Sequence, residues 1–542
     1  MKRSLFALLA FVVVYLLQLT TLQHCATPTA PSGGARDTIG PVLVVEETTP
    51  NFQTNFKPEE IVLTFDEWVE LDPQQQILIS PPLELGEDNR PQLRKRSLVI
   101  SLEGLELRDS VTYVVNVGAA IKDLNEGNPT ENLRFVFATG PVLDSATVSG
   151  TLVEDFSGEP IEDATFTLYG NLADTAATTE NPTYFAQTDE EGSFTIYNIR
   201  PGRYRAVGLL RNPSATNYYA DFTGYAKPQS VGFIDTIITV ADGNNSVGAV
   251  RLSPVPKPIR INAADTTAFG VLTLTLNQTA NEVDLLTETT FLRRNDKDSL
   301  KLYYRDSLPP LTLVVGLDTL PADTFTYFGQ GASEVGPLLL ERGPPGKLNP
   351  GVGAIYRFNK PIERVDTNLI TIRQDTFADG IPFRYQIDSL YPGELRFQAS
   401  WLPKSIYRIE LLPGAITDWV GASNQDTIPR KLNADSPESY GILNLTFTNL
   451  DSTAAYIVQL VEKEDPVPFT RRYVTETSGY QVTYRGLKPA TYLVELVVDA
   501  NRNGRYDAGD FLRSRQPEQV RRFEIEALRA NWEVEENIDV NE

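Results

Sequence analysis

The 542-residue sequence is almost devoid of the side chains on which most catalytic and metal sites depend, because it has one cysteine, one histidine and one methionine. Met1 and His24 both precede the single cysteine, Cys25. A chain that is cut before Cys25 therefore keeps neither a histidine nor a methionine. This excludes Ser-His-Asp and Cys-His nucleophilic catalysis, histidine-ligated zinc, copper and haem sites, and metal clusters held by several cysteines.

Positive charge is also scarce. The chain has 48 lysine and arginine residues against 71 aspartate and glutamate residues, which gives a formal net charge of −23. Loss of the N-terminus would also remove Lys2 and Arg3 and make the chain more acidic. No nucleic-acid partner is expected, because phosphate binding requires a basic surface. We interpret the acidic balance as a soluble, self-repelling surface in preference to a site for a cationic partner.

The N-terminus has the layout of a secretory signal peptide. Lys2 and Arg3 supply a positive start, and residues 5–17 form an unbroken apolar run that is too short for a comfortable membrane span. The segment Leu22-Gln23-His24-Cys25 resembles the lipobox of bacterial lipoproteins, in which the chain is cut before a cysteine that carries lipid. This resemblance implies a signal peptide over residues 1–24 and lipidation of Cys25. The alternative is an ordinary signal peptide with an incidental cysteine.

Residues 25–40 are small, polar and rich in proline and glycine, which is typical of a flexible tether. A lipid on Cys25 implies export and attachment to a membrane through the N-terminus. Position 26 is alanine, not the aspartate associated with inner-membrane retention, and no acidic run of the kind that resembles a surface-export signal follows Cys25. The resemblance therefore implies the outer membrane, with the periplasmic face favoured over the cell surface.

From Pro41 onward the sequence predicts an all-β protein of several domains. Short runs rich in Val, Ile, Thr, Tyr and Phe alternate with clusters of Gly, Pro, Asn and Asp about every ten residues. Long stretches with helical periodicity are missing, and the best helical candidate, residues 523–533, also reads as a strand. The chain is too long for one hydrophobic core and fits roughly four or five domains.

An internal repeat supports this division. Each copy has an alternating apolar run with Phe-Asp or Phe-Asn, a Tyr-led strand, and an Ala-Ile-x-Asp turn. The defining positions are Phe65, Tyr113 and Asp123 in the first copy and Phe358, Tyr407 and Asp418 in the second. These residues resemble the SbsA-type bacterial immunoglobulin-like (Ig-like) domain. The resemblance implies Ig-like sandwiches at 41–141 and, more divergent, at 350–435.

A second repeated pattern follows each of these copies. Gly158-Glu159-Pro160, the hairpin from Asp189 to Gly192, and Pro201-Gly202-Arg203-Tyr204 resemble the carboxypeptidase regulatory-like or transthyretin-like sandwich, in which we expect the tyrosine to pack inward. The later part of the pattern recurs near the C-terminus and ends at Tyr492. The resemblance implies such sandwiches at 145–254 and 440–542, with an unassigned β domain at 257–343. The whole chain looks like a Bacteroidota envelope lipoprotein.

The sharpest local motif lies in the last domain and has the spacing of a calcium-binding loop. Oxygen-bearing side chains fall at positions 1, 3, 5, 9 and 12, with glycine at position 6 and a carbonyl at position 7. The predicted metal residues are Asp499, Asn501, Asn503, Arg505 through its carbonyl, Asp507 and Asp510. If calcium binds, we expect it to stabilise the structure. The alternative is a long hairpin held by Asx turns without metal.

Other patterns are less specific. Asp-Ser and Asp-Thr dipeptides such as Asp37-Thr38 and Asp235-Thr236 recur and resemble acceptor sites of a Bacteroidota O-glycosylation system, although such pairs are also common in turns. Asp66, Glu67 and Glu70 beside Trp68 offer carboxylates for glycoside hydrolysis, but adjacent strand residues point to opposite faces. We interpret all four tryptophans, Trp68, Trp401, Trp419 and Trp532, as core residues in preference to a platform for stacking sugars.

These observations favour a non-catalytic envelope lipoprotein that presents Ig-like sandwiches for structural or binding roles. Its partners would be the membrane, through the N-terminal lipid, and an envelope protein or glycan. One alternative is a carbohydrate-binding lipoprotein of a polysaccharide-uptake system, and another, less favoured, is a carboxylate-dependent glycosidase. Calcium is the only cofactor that the sequence suggests.

Overall fold

The computed structural model describes residues 37–541 except for 58, 73–76, 84, 131–132, 213–227, 256–257, 279–283, 317–321, 330–333, 376, 378, 389–391 and 464. The predicted signal peptide and Cys25 lie outside the described residues. Almost all regular structure in the described part is β-strand, so the predicted all-β class is confirmed. The one α-helix among the described residues, α1 (Ala176–Thr179), has four residues. No helix among the described residues is long and apolar enough to cross a membrane.

The first unit has two three-stranded sheets, ordered β1-β5-β4 and β3-β6-β8, and a separate β2-β7 pair. Its core includes Phe65, Tyr113 and Phe137, each at most 1% exposed. Its strands are β1 (Glu60–Thr64), β2 (Val69–Leu71), β3 (Leu78–Ser80), β4 (Gln92–Arg94), β5 (Ser97–Ser101), β6 (Thr112–Gly118), β7 (Ile121–Asp123) and β8 (Leu133–Ala138). Two 3-10 turns, Val45–Glu47 and Glu87–Asn89, connect them.

The second unit forms one continuous path of strands, β11-β10-β13-β14-β16-β9-β12, with β15 attached to β13. Phe166 and Phe194 stack in its core with ring centroids 4.2 Å apart. Its strands are β9 (Ala146–Glu154), β10 (Thr165–Tyr169), β11 (Tyr184–Gln187), β12 (Ser193–Ile199), β13 (Gly202–Leu210), β14 (Ser230–Phe233), β15 (Ile238–Val240) and β16 (Asn244–Pro254).

The third unit pairs a four-stranded sheet, β17-β18-β21-β20, with a three-stranded sheet, β19-β22-β23. Along β18 the leucines are buried and the intervening residues are half-buried, because side chains alternate between the two faces of a strand. Its strands are β17 (Ile261–Asp265), β18 (Val271–Leu276), β19 (Asp284–Leu286), β20 (Leu292–Asp296), β21 (Ser299–Tyr303), β22 (Leu311–Gly316) and β23 (Asp323–Tyr327).

The fourth unit has sheets ordered β24-β26-β30-β29 and β25-β33-β31-β28, and a β27-β32 pair. Its strands are β24 (Leu340–Arg342), β25 (Lys347–Leu348), β26 (Ala354–Phe358), β27 (Ile362–Val365), β28 (Ile370–Gln374), β29 (Phe383–Ile387), β30 (Glu394–Ala399), β31 (Ile406–Leu411), β32 (Ile416–Asp418) and β33 (Ile428–Ala434), with a 3-10 turn at Thr367–Leu369. β24 and β25 lie before residue 350, where the sequence analysis begins this unit, and they extend its sheets.

The fifth unit has a three-stranded sheet, β37-β34-β40, and a four-stranded sheet, β36-β35-β38-β39. Its strands are β34 (Gly441–Thr448), β35 (Ala455–Glu462), β36 (Asp465–Thr475), β37 (Tyr480–Leu487), β38 (Ala490–Asp499), β39 (Gln519–Leu528) and β40 (Glu533–Asp539). The 3-10 turns Pro437–Ser439 and Phe511–Arg513 belong to this part of the chain. β39 covers most of the segment that the sequence left open between helix and strand.

The first repeat is visible in the structure. The first and fourth units share the orders β1-β5-β4 with β26-β30-β29, and β3-β6-β8 with β28-β31-β33. In both units the repeated tyrosine is buried, and its hydroxyl accepts a backbone N–H from five residues earlier: Arg108 to Tyr113 at 2.9 Å, and Leu402 to Tyr407 at 2.7 Å. The tyrosine therefore has the same structural role in both copies.

The second repeat is equally clear. β9 pairs antiparallel with β12 and parallel with β16, just as β34 pairs antiparallel with β37 and parallel with β40. The inward-facing tyrosines also agree, since Tyr204 donates to the carbonyl of Arg200 at 2.7 Å and Tyr492 donates to that of Lys488 at 2.9 Å. The second and fifth units thus share one topology, although their sequences match only in part.

Candidate functional site

The segment between β38 and β39, residues 500–518, joins the fifth unit to the second; we call it the docking loop. Arg251 of β16 donates to the carbonyls of Glu518 at 2.9 Å and Pro517 at 3.1 Å. The backbone N–H of Gly509 donates to Ser253 Oγ at 2.8 Å. These contacts satisfy backbone groups of the loop that would otherwise need water, so they hold it against the second unit.

Aromatic packing adds to this contact. Phe511 lies edge-on to Phe233, with ring centroids 5.5 Å apart. It packs against a buried cluster of the second unit that includes Tyr169, Val207 and Val231. Burying an aromatic side chain is a large source of stability at an interface. The cluster is therefore completed by a residue from the other end of the chain.

A charged residue closes the other side of the contact. Arg522 of β39 donates to the carbonyl of Ser157 at 3.1 Å and to Glu495 Oε1 at 2.7 Å. Its guanidinium also lies 5.2 Å from the ring centroid of Phe156. Burial raises the pKa of Glu495, and the charge of Arg522 opposes that rise. Arg522 thus compensates a nearly buried carboxylate within its own unit and bridges to the second unit.

The predicted calcium residues form the first part of the docking loop. Asp499 is 1% exposed and accepts the N–H groups of Asn503 at 3.1 Å and Gly504 at 2.7 Å. Asn501 and Asn503 each donate a side-chain amide to Asp507 at 2.6 Å. Asp510 instead caps the 3-10 turn Phe511–Arg513 and pairs with Arg513. Five of the predicted residues thus belong to one hydrogen-bonded network centred on Asn503, and Asp510 lies outside it.

A further carboxylate, missed in the sequence analysis, lies beside this motif. Glu518 accepts the backbone N–H groups of Ala500 at 2.7 Å and Asp507 at 3.0 Å. Burial raises the pKa of Glu518, the two N–H groups oppose the rise, and the nearby charges of Asp507 and Asp499 add to it. The carboxylates of Glu518, Asp507 and Asp499 therefore concentrate negative charge at this end of the loop.

Calcium binding at this loop stays a prediction. Among the described residues, no group of three or more His, Cys, Asp or Glu side chains is arranged to hold a metal ion. The carboxylates of Asp499, Asp507 and Asp510 each accept hydrogen bonds from protein donors. A calcium ion would have to replace some of these donors as the partner of the carboxylates.

Calcium addition provides the test. With an affinity typical of extracellular calcium modules, millimolar calcium should raise the stability of the chain by about 1 kcal/mol. Thermal unfolding in calcium and in a chelator measures the difference, and Asp499→Asn should abolish it. Asp189→Asn, in a hairpin of the second unit where the carboxylate accepts Ser193 N–H at 2.7 Å, serves as the control and should respond as the unsubstituted chain does. An equal melting temperature in calcium and chelator would support the metal-free hairpin.

The repeated turn aspartates act structurally in both copies of the first repeat. The carboxylate of Asp123 accepts four consecutive backbone N–H groups, from Asn125 to Asn128. Asp418 accepts the N–H groups of Val420 at 3.1 Å and Ala422 at 2.7 Å. These carboxylates organise the loop that follows each short strand.

The two copies differ in the residue that faces this aspartate. In the fourth unit Lys360 Nζ lies 3.3 Å from Asp418 Oδ2, and the two side chains are 2% and 0% exposed. The equivalent residue of the first unit is Glu67, whose pKa is raised by burial and next by the charge of Asp123. The carboxylates considered for glycoside hydrolysis therefore adjoin a turn, and Asp66 accepts the N–H of Val42 at 2.9 Å.

The prediction that all four tryptophans are core residues is wrong for two of them. Trp401 is 7% exposed, and Trp419 is half-buried between Tyr303 and Arg305. Trp68 and Trp532, however, are 59% and 50% exposed. A strand-like sequence shows which side chains alternate, but it does not show which face of the strand is buried until the neighbouring sheet is known. Trp68 and Trp532 also lie outside the strands.

Comparison with known proteins supports the domain type of the first unit. Residues 37–139 match the sequence profile of the family described as bacterial Ig-like domain. The first unit is therefore a bacterial Ig-like domain. A search of curated proteins finds no match.

Solved structures with similar β architecture include two bacterial proteins. One is a fragment of native alpha-2-macroglobulin from Escherichia coli spanning domains MG0-NIE-MG1, with 8% identity, 35% of this chain and 90% of that chain covered, and a TM-score of 0.17. The other is BcpA, the major pilin subunit of Bacillus cereus. The two sequences are 10% identical, the match covers 73% of this chain and 99% of BcpA, and the TM-score is 0.14. Likenesses at this level carry no inference about activity.

Disulfide trapping tests the contact between the second and fifth units. A Cβ placed at Gly509 would lie 2.5 Å from Ser253 Oγ and 2.9 Å from Pro517 Cδ, so the two positions are adjacent and the loop must shift slightly to accommodate a disulfide there. In a Cys25→Ser background, Ser253→Cys with Gly509→Cys should form a crosslink on mild oxidation. After proteolysis between the two units, a non-reducing gel should show the fragments still joined. Each single-cysteine variant should release its fragments, and release by the double variant would contradict the docked arrangement.

Proposed function

We propose that this chain is a non-catalytic envelope lipoprotein that Cys25 anchors to the outer membrane, with its sandwiches acting as a structural scaffold. The sequence at Leu22 to Cys25 supports the anchor, and the resemblance of the whole chain to Bacteroidota envelope lipoproteins supports the compartment. The bacterial Ig-like domain at 37–139 is consistent with a structural or binding role. The periplasmic face is favoured, for the sequence reasons given above.

The observation that carries a scaffold role is the docked loop. Ser253 and Gly509 are separated by 256 positions in sequence and yet share a hydrogen bond. A contact of this kind fixes the second and fifth units relative to each other, whereas sandwiches joined only by linkers reorient freely. Fixed spacing between sandwiches suits a protein that holds partners at the envelope, and it requires no reacting groups.

The non-catalytic part of the proposal rests on the side chains that remain. The chain after residue 24 has no histidine, and its one cysteine would carry lipid. The turn aspartates Asp123 and Asp418 bind backbone N–H groups and so are committed to local structure. Assay of the full chain against soluble polysaccharides should therefore give no reducing sugar above that released by an Asp66→Asn/Glu67→Gln variant.

Membrane fractionation with protease shaving tests the anchor and its face. The unsubstituted chain should sediment with outer membranes and resist protease added to intact cells. Cys25→Ala should appear in the soluble fraction, because no acyl chain is then attached. A Cys25→Ala chain that still fractionates with membranes would contradict lipid anchoring. Digestion of the unsubstituted chain on intact cells would place it on the surface and contradict the periplasmic assignment alone.

A further inference from the structure

A cavity lies where the fourth unit meets the fifth. It has a volume of about 370 Å³, near the lower end of the range typical of small-molecule sites. Its lining comes from the connection to the fourth unit, from β34 and β37, and from the turn before β40. The lining side chains include those of Trp532, Tyr440, Arg485, Glu438, Asn531 and Glu533.

Three hydrogen bonds hold the walls of this cavity together. Asn349 donates its side-chain amide to the carbonyl of Gly486 at 2.8 Å, and its amide oxygen accepts the N–H of Gly351 at 2.9 Å. On the opposite side the backbone N–H of Asn531 donates to the carbonyl of Tyr440 at 3.0 Å. These bonds connect the fourth unit to β37 and fix the turn that carries Trp532, so the cavity is already formed before a ligand arrives.

Trp532 supplies an aromatic surface in this cavity. The guanidinium of Arg529 lies 4.8 Å from the centroid of the ring, which restrains the indole through a cation–π contact. Half of the side chain is still exposed. Since Arg529 covers one face, a ligand meets the opposite face or the edge. An exposed, restrained indole at the side of a cavity suits a flat apolar ring face of a ligand.

The polar residues around Trp532 are available to a ligand. Within the described part of the chain, the side chains of Arg485, Glu438 and Asn531 make no hydrogen bond or ion pair. Glu533, by contrast, is partly engaged, because its carboxylate accepts the side-chain amide of Asn444 at 2.8 Å. The cavity therefore offers donors from Arg485 and acceptors from Glu438, together with an amide that has both.

We propose that this cavity binds a neutral saccharide, with one sugar ring stacked on Trp532 and its hydroxyls bonded by Arg485, Glu438 and Asn531. A sugar ring has an apolar face of C–H groups and a rim of hydroxyls that both donate and accept, which matches an indole surrounded by mixed polar groups. Glu438 and Glu533 balance Arg485 and Arg529, so the site has no excess positive charge that would select a sulfated or uronic-acid glycan. The volume suits one or two sugar rings.

A matched pair of tryptophan variants tests the site. The full chain, solubilised in detergent, is screened against a panel of neutral and acidic oligosaccharides at millimolar concentration, and the best neutral binder is titrated by calorimetry. Trp532→Ala should raise the dissociation constant roughly tenfold, which is the effect of losing an aromatic stacking contact. Trp532→Phe should recover most of the affinity. Trp68→Ala, which removes a tryptophan that is also exposed but lies in the first unit, should bind as the unsubstituted chain does.

The unfavourable outcomes are distinct. Failure of the unsubstituted chain to bind any neutral saccharide in the panel would overturn the proposal, as would preference for acidic ones. Equal affinity in Trp532→Ala and Trp68→Ala would show that any saccharide binds elsewhere on the chain, and it would overturn the proposed site. Thermal unfolding of each variant separates a folding defect from a loss of binding, and Trp532→Phe keeps the proposal testable if Trp532→Ala unfolds. Binding in detergent does not depend on whether Cys25 carries lipid, so this result and the membrane fractionation are independent.

Discussion

Replacing Lys360 with methionine is expected to lower the free energy of unfolding of the fourth unit by about 3 kcal/mol. The ammonium group is almost fully buried, 3.3 Å from Asp418 Oδ2, and it donates to the carbonyl of Gly336 at 2.6 Å. Removal of one partner of a buried ion pair leaves the other charge uncompensated, which costs about 3–5 kcal/mol. Two backbone N–H groups still bind Asp418, so we expect the lower end of that range.

Chemical unfolding of the full chain measures this effect, and the transition of the fourth unit can be followed through Trp401, which lies in its core. The matched control is Lys431→Met, on an exposed position of β33 in the same unit. That variant should change stability by less than about 0.5 kcal/mol, as is usual for surface substitutions. Equal effects of the two substitutions would show that the buried pair contributes nothing beyond side-chain size.

Replacing Phe511 with alanine is expected to release the docking loop from the second unit. The ring fills the last side of a cluster whose other members, including Val207 and Leu209, are at most 9% exposed. Truncating a well-packed phenylalanine costs about 3–5 kcal/mol, and a half-buried one about half of that. The loop has a second aromatic contact with the second unit, Tyr506 edge-on to Phe156 with ring centroids 4.9 Å apart, and this contact remains in the variant with the hydrogen bonds of Arg251 and Ser253. We therefore expect the loop to open much more often around Phe511 without losing every contact.

Limited trypsin digestion measures this release. The docking loop contains Arg502, Arg505, Arg513 and Arg515, and cleavage there should become at least tenfold faster in Phe511→Ala, since roughly 1.4 kcal/mol of lost docking energy already favours the open form tenfold. Phe377→Ala, which removes a 63% exposed ring from the fourth unit, is the control and should leave cleavage unchanged. Unaltered cleavage of Phe511→Ala would mean that Phe511 is dispensable and that the packing of Tyr506 on Phe156, together with the polar contacts, holds the loop.

Local chemistry explains the parts of this structure that the sequence predicts well. Asp123 can satisfy four N–H groups within five residues, and Tyr204 bonds a carbonyl only four residues away. Interactions with such short separations leave a spacing pattern that repeats whenever the motif repeats. For the same reason, the segment around Asp499 is recognisable as a tight, oxygen-rich loop from its sequence.

The parts of the structure that the sequence does not predict depend mainly on contacts between distant segments. Asp510 has the spacing of a metal ligand, but Arg513 in the next turn takes its carboxylate. Phe511 lies in a segment whose composition is typical of a loop, and it becomes part of a core only because it packs against the second unit. Trp532 follows no strand pattern that would identify its exposed side. Arg513 is only three residues from Asp510, so two local partners compete for that carboxylate. For Phe511 the deciding partner lies in another unit, and nothing in the local sequence specifies it.

The docked loop also determines how a pulling force passes through the molecule. Tension between an N-terminal membrane attachment and a partner on the fifth unit would enter the second unit and cross directly at Arg251 and Ser253. The third and fourth units lie between these two contacts in sequence and would therefore bear no load while the contact holds. Once it opened, the roughly 250 residues between Ser253 and Gly509 would come under tension as folded sandwiches, and the distance between the two attachment points could increase by the length of these units. The contact made by the docking loop would thus open under load before any sandwich unfolds.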